Sequence, residues 1–403
     1  MDFISFSLNY WEDLWQSRHQ VMSRLAKDHK VLFVSPAFYI REVLKNLATG
    51  HLIKSGLVQR EHNLYTLVPP KWLFVSYRFG IQRTMEYLRR LQIQRVLKKL
   101  GFQDIVLLVW HPQYSNMVGR FGERLSCYYV DDEFASYSGQ SEDDKAHIRI
   151  KEDHLLRRVD LVFANGNALL ERKNRYNNAI NVPMGVDFNL FSKALLDETK
   201  VFADLTAIHP PRIGYVGNIN DKVDFQLLDI IADRRPDWSI VLVGPVAIRS
   251  EHFRRHFAQL ERRQNVFTLG LKPKEALPNY LKGFDVCLMC YRTDEWGRFV
   301  YPNKLHEYLA TGKPVVSADL PSIREFSPVL RIAKTSEAWV DAIEDSLFER
   351  KDEICRRRVE VARRNTWDER VIQIEKAIEE ALRQKVPSPH SDSSCPHPRK
   401  SVS

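Results

Sequence analysis

PNKLHEYLATGKPVVS, residues 302–317, passes from one periodicity into another. Leu305, Tyr308, Leu309 and Gly312 recur at i, i+3, i+4 and i+7, the spacing of a helix with one buried face. Asn303, Lys304, Glu307 and Thr311 fall on the other side. Asn303 suits a helix cap, Pro302 a first turn and Gly312 a helix end, after which Pro314 forces the chain into an extended run. A short helix feeding a buried strand is the repeating unit of a parallel sheet, so this stretch predicts an α/β fold.

The same alternation runs outward in both directions. Upstream, KVLFVSP (30–36), DIVLLVWHP (104–112), LSCYYVDD (125–132) and VDLVFANG (159–166) are apolar runs separated by helical patterns. After a less regular stretch at 182–211 the pattern restarts with RIGYVGN (212–218), WSIVLVGP (238–245), NVFTLG (265–270), FDVCLMC (284–290) and PVVSA (314–318). Two doubly wound, Rossmann-like halves predict a cleft between them at the carboxyl ends of the strands. The boundaries read as 1–200, 201–366, a last helix at 367–385 and a Pro/Ser-rich, disordered tail at 386–403.

Composition narrows the field. A 44% hydrophobic and 28% charged chain of 403 residues fits two soluble domains. The longest clear apolar run, 105–110, is far short of the roughly 20 residues that span a bilayer. The first residues, MDFISFSLNYWEDLW, lack the basic start and apolar core of a secretory signal, which predicts a cytoplasmic protein. Cys287 and Cys290 form a CxxC inside a strand pattern and read as apolar strand residues. The net charge of +9 favours anionic partners. The interleaved motifs of a nucleic-acid binder are missing, so no nucleic acid is expected.

The chemistry starts again from residues 302–317. A helix start at the carboxyl edge of a sheet presents unpaired N–H groups and a partial positive charge, and Lys304 adds a full one, which together suit phosphate. Glu307, one turn on, can accept two hydrogen bonds from a vicinal diol such as a ribose. On spacing alone, the same Lys and Glu also make an ordinary surface ion pair worth about 0.2–0.5 kcal/mol.

This stretch resembles the donor-binding signature of GT-B glycosyltransferases of the family 4, group 1 type, P-x-K-x-x-E-Y-x-A-x-G-K-P-V-V. WEDLWQSRHQVMSRLAKDHKVLFVSP, CYYVDDEFASYSG, VPMGVDFNLF and RRNTWDERV resemble further blocks of a bacterial branch that makes teichuronic acid and exopolysaccharide. The resemblance implies a retaining transfer from a nucleotide sugar to a glycan or polyprenyl-linked acceptor, with no cofactor and no metal. It places Glu307 at the ribose and Lys304 near the diphosphate. Gly217 would allow backbone approach to the phosphates, Lys222 and Arg249 would neutralise the leaving group, and Gly270 and Leu271 would begin the loop that seats the base.

The departures are as informative. Many relatives carry a second glutamate eight residues before the one at 307, where this chain has Phe299; Asp294 or Glu295 is the expected substitute. Met184 stands where Asn is common, and residues 11–19 replace a Gly-rich loop. On the first domain, His111, Asp131 and Asp132 close strands and are expected to face the cleft as sugar or acceptor contacts.

Residues 71–101 carry a further signal. Between Ile81 and Leu100 there are six basic residues, Arg83, Arg89, Arg90, Arg95, Lys98 and Lys99, against one acid, Glu86; Trp72, Phe74, Tyr77 and Phe79 lie just upstream. Such a segment fits peripheral contact with an anionic membrane surface, and equally a core-packing helix with a basic outer face. Two rival readings stand beside transfer: a sugar-nucleotide epimerase, which needs no acceptor, and a non-catalytic nucleotide-sugar-binding partner protein.

Overall fold

The computed structural model describes residues 1–38, 55–74, 81–137, 140–174, 178–349 and 351–385. Tyr77, Phe79 and the 386–403 tail therefore lie outside the described residues.

The first sheet has eight strands: β1 (Asp2–Phe6), β2 (Lys30–Val34), β3 (Gly56–Gln59), β4 (Leu64–Val68), β5 (Ile105–Val109), β6 (Leu125–Val130), β7 (Leu161–Ala164) and β8 (Ala179–Asn181). Their order is β3-β4-β2-β1-β5-β6-β7-β8. All neighbours are parallel except β3, an antiparallel edge strand on β4. β5 and β6 are buried along their whole length, as continuous apolar runs covered on both faces must be. The second sheet comprises β9 (Arg212–Val216), β10 (Ser239–Val243), β11 (Val266–Gly270), β12 (Val286–Met289), β13 (Val315–Ala318) and β14 (Arg331–Ala333), ordered β11-β10-β9-β12-β13-β14.

In each sheet the winding reverses beside its first strand. β1 lies between β2 and β5, and β9 lies between β10 and β12. Crevices at the carboxyl ends of such switch points are where doubly wound sheets hold ligands. The turn after β1 and the turn after β9 both line one cleft of about 810 Å³ between the domains.

The last helix, Trp367–Gln384, returns to the first domain. Asp368 pairs with Arg24 and Lys27 at 3.1 Å each, and Glu375 meets His29 at 3.0 Å. Partly exposed pairs of this kind contribute about 1 kcal/mol or less. The fully buried Ile374 and Ile378 contribute more, about 1.5–3 kcal/mol each. Cys287 and Cys290 are buried in and just after β12, and burial pushes both thiols up to about 12, so they serve as apolar packing. Among the described residues no helix is long and apolar enough to cross a membrane.

Candidate functional site between the two domains

The wall built by residues 302–317 is a helix, Lys304–Ala310, leading to β13. Leu305, Tyr308 and Leu309 are fully buried beneath it. The Tyr308 hydroxyl accepts the Val216 amide at 2.8 Å, which ties the helix to the end of β9. Gly312 takes φ +70°, a left-handed conformation suited to glycine, and ends the helix. Two expectations need correction. Asn303 makes no capping hydrogen bond, because its backbone is already helical (φ −54°, ψ −36°); its Oδ1 is buried beside the cleft without a partner. Thr311 is not on a wet face: it is 3% exposed, and its hydroxyl donates to the Tyr308 carbonyl at 2.7 Å.

Lys304 and Glu307 both line the cleft. The Lys304 ammonium donates to the Tyr291 hydroxyl at 2.9 Å and sits 4.7 Å from the centre of the Tyr215 ring. Burial works against its charge, but Tyr215, Tyr291 and Glu307 together outweigh burial and raise its pKa. The glycine turn after β9 leaves room for it. A Cβ on Gly217, whose φ is +135°, would stand 2.5 Å from Lys304 Cε and Nζ. A Cβ on Gly244 would strike the Gly217 carbonyl at 2.0 Å. Burial raises the Glu307 carboxyl to about 7, against the opposing pull of Lys304 and Lys274. It is therefore poised between its two states near neutral pH.

The opposite wall comes from the first domain. Asp131 and Asp132 follow β6 and line the cleft. Asp131 accepts from Ser17 Oγ at 3.0 Å and lies 3.6 Å from the Arg18 guanidinium; burial raises its pKa in spite of that cation. Asp132 reaches across the cleft. Its Oδ2 takes Lys222 Nζ at 3.1 Å and the Tyr137 hydroxyl at 2.7 Å, and its Oδ1 takes Trp296 Nε1 at 3.0 Å. Behind this loop lies a buried ionic cluster. Lys173 Nζ lies 3.0 Å from Glu133 Oε2 and 2.5 Å from Glu152 Oε2, and Arg172 pairs with Glu133 at 3.0 Å.

Of the residues singled out in the sequence, the structure brings Asp131, Asp132, Gly217, Lys222, Leu271, Asn303, Lys304 and Glu307 to this cleft. His111, Arg249, Gly270, Asp294 and Glu295 do not line it. His111 caps a 3₁₀ turn, with Nδ1 accepting the Gln113 amide at 3.2 Å and its ring edge-on to Phe134. Burial holds it near pKa 3, so it stays neutral. Arg249 is exposed, and its backbone amide donates to Asp221 Oδ1 at 2.9 Å. Asp294 is held by Arg292 and by the Gly297 amide, and Glu295 points to solvent. Phe299, in place of the second glutamate, packs on the core of the first domain beneath the Arg172 guanidinium, 4.8 Å from its ring centre.

Sequence reading missed Arg18, Tyr137, Lys274 and Trp296, all of which line the cleft. For Arg18 the available signal was the polar and aromatic run at 11–19 that stands in for a Gly-rich loop. A second hollow of about 680 Å³, lined by Glu325, Phe326, Arg356 and Arg357, shares none of these side chains. Among the described residues no cluster of His, Cys, Asp or Glu is placed to hold a metal ion.

Comparison with known proteins bears on this geometry. Residues 210–348, which hold β9 to β14, match the family model "Glycosyl transferases group 1". That similarity is confined to the second sheet and the helices around it. A curated protein of Bacillus subtilis (strain 168), named as the teichuronic acid biosynthesis glycosyltransferase TuaH, is 33% identical over 144 residues. That match spans 35% of this chain and about a third, 34%, of the relative. Among solved structures, sucrose-phosphate synthase from Thermosynechococcus elongatus superposes with a TM-score of 0.70 at 14% identity, covering 96% of this chain and 100% of that one. Anabaena HepE in complex with UDP gives 0.65 at 13% identity, covering 94% and 100%. At such identities these structures show the fold, and it is the two-domain GT-B fold.

Proposed function

We propose that the protein is a glycosyltransferase that moves a sugar from a nucleotide-sugar donor to a glycan or polyprenyl-linked acceptor in cell-surface polysaccharide biosynthesis. The observation that carries this reading is the presence of Lys304 and Glu307 together on one cleft wall, beside the Gly217 turn at the switch point of the second sheet. Glu307 takes the ribose hydroxyls and Lys304 the diphosphate. Breaking the bond between sugar and diphosphate requires fixed positive charge at the departing oxygens, where a water-poor site makes it most effective. Lys304 and Lys222 supply that charge from protein side chains, so the reading assigns no role to a metal or cofactor. The transfer is retaining, with a donor phosphate oxygen taking the acceptor's proton. The name of the Bacillus relative supports the polysaccharide setting, and the UDP bound by HepE supports a nucleotide diphosphate at the site.

The protein works on the inner face of the cell membrane. Helix Gln82–Leu100 turns Arg83, Tyr87, Arg95, Lys98 and Lys99 to solvent, and Trp72 is 61% exposed. Each base near an anionic leaflet contributes about 1 kcal/mol, enough in sum for peripheral attachment. Flotation with anionic liposomes at physiological salt should carry the wild type upward and leave an Arg95→Gln/Lys98→Gln/Lys99→Gln variant behind; equal behaviour of the two would dismiss the surface. Thermal-shift screening against UDP-, GDP-, dTDP- and CMP-sugars tests the donor, followed by a search for transfer to lipid-linked glycans. Stabilisation by a nucleotide sugar with acceptor-dependent release of the nucleoside diphosphate is expected. Turnover without acceptor would replace the proposal with an epimerase.

A further inference from the structure

Lys222 occupies an unusual place for a diphosphate ligand. Its ammonium lies 4.0 Å from the centre of the Trp296 ring and 5.1 Å from that of Tyr137, and it pairs with Asp132 of the opposite domain at 3.1 Å. Trp296 Nε1 and the Tyr137 hydroxyl donate to the same carboxylate, so two aromatic faces and a carboxylate enclose the lysine from three sides. Lys222 is 33% exposed and Asp132 17%, so the pair is open enough to be exchanged by a ligand in the cleft. Rings plus a carboxylate suit a sugar: the C–H face of a pyranose packs on the rings, and its hydroxyls donate to the carboxylate.

We infer that Asp132, Tyr137 and Trp296 form a subsite for a neutral pyranose of the acceptor, which Lys222 fills until the donor diphosphate draws it away. This rests on the reading of Lys222 as a diphosphate ligand. A diphosphate carries more charge than one carboxylate and lies on the side of the second domain, where Lys222 is anchored after β9. Its departure uncovers the rings and releases the lone pair of Asp132 Oδ2 that it held, while Tyr137 keeps its hydrogen bond to the same oxygen. Donor binding thereby creates the acceptor's place, and the acceptor follows the donor.

Two measurements on the full chain test this. In calorimetric titration with UDP, Lys222→Met should bind more weakly than wild type. Asp132→Asn should bind about two- to fivefold more tightly, because the carboxylate competing for Lys222 is gone. A structural role for Asp132 alone would leave UDP affinity unchanged or weakened, and that result overturns the inference. The second measurement is saturation-transfer NMR with methyl glucopyranoside, galactopyranoside, mannopyranoside and N-acetylglucosaminide. At least one should give a signal that grows severalfold when UDP is present and falls in Trp296→Phe, which keeps a ring but loses the N–H, and in Tyr137→Phe. A signal indifferent to UDP and to both variants, or none with UDP bound, overturns it. Failure of UDP itself to bind the wild type would instead overturn the donor-site reading beneath it.

Discussion

Replacing Glu307 by Gln keeps the shape of the side chain and removes its charge, so the cost of the change isolates the carboxylate. A hydrogen bond to a charged group contributes about 1.5–3 kcal/mol. At about 1.4 kcal/mol per decade, Glu307→Gln should weaken UDP binding by about ten- to a hundredfold at pH 8. The pH dependence makes the test specific. Burial raises the Glu307 carboxyl to about 7, whereas ribose needs the ionised form. UDP affinity of the wild type should therefore level off above about pH 8 and fall with acidification through 7, approaching tenfold per unit below about pH 6, with a proton released on binding. The Gln variant should lose the part of the slope and of the proton release that Glu307 supplies, keeping only what the terminal phosphate of UDP, with a second pKa of about 6, contributes. The sign for folding is opposite. A carboxyl whose folded pKa lies above its unfolded value stabilises the chain fully below that unfolded value, and the contribution is lost as pH rises through about 7. Isothermal titration between pH 6 and 8.5, in buffers of different ionisation enthalpy, reads affinity and proton release together. An affinity for UDP that is equal in the two proteins, or a wild-type profile with no inflection near neutrality, would refute the assignment.

Two further outcomes follow from contacts around the cleft. Gly217→Ala puts a methyl 2.5 Å from the end of Lys304 at a positive φ, so the lysine must leave its place; UDP binding should weaken about tenfold while the cooperative unfolding transition is kept, as titration and calorimetry would show. Lys173→Met leaves Glu133 and Glu152 buried without their shared cation, which should cost about 3–5 kcal/mol in urea unfolding; a loss under 1 kcal/mol would show that the cluster is not what holds the Asp131–Asp132 loop.

Much of the fold was legible because its determinants are local. The apolar runs at 105–109 and 125–130 could only be strands covered on both faces, and the i, i+3, i+4 spacing of Leu305, Tyr308 and Leu309 marked the buried side of the helix Lys304–Ala310. Glu307 and Lys304 came with that helix. The rest of the site depends on distant pairings. Lys222 meets Asp132 across 90 residues of sequence, and Trp296 meets it across 164, so no spacing announces either contact. His111 ends its strand pattern just as Asp132 does, yet the 3₁₀ turn that follows bends it against Phe134 and away from the cleft. Asn303 has the composition of a cap, but the chain enters the helix already in a helical conformation, which leaves the side chain nothing to cap. The exchange of a glutamate for Phe299 was visible; that it serves packing between the domains was not, because its partner Arg172 lies in the other domain.

A structure of the protein crystallised with UDP tests the central claim most directly. The account predicts ribose hydroxyls within about 2.6–3.2 Å of the Glu307 carboxylate. It also predicts the diphosphate over the Gly217 turn beside Lys304, with Lys222 moved from Asp132 onto a phosphate oxygen. Nucleotide density elsewhere in the cleft, with Glu307 untouched and Lys222 still on Asp132, would contradict it.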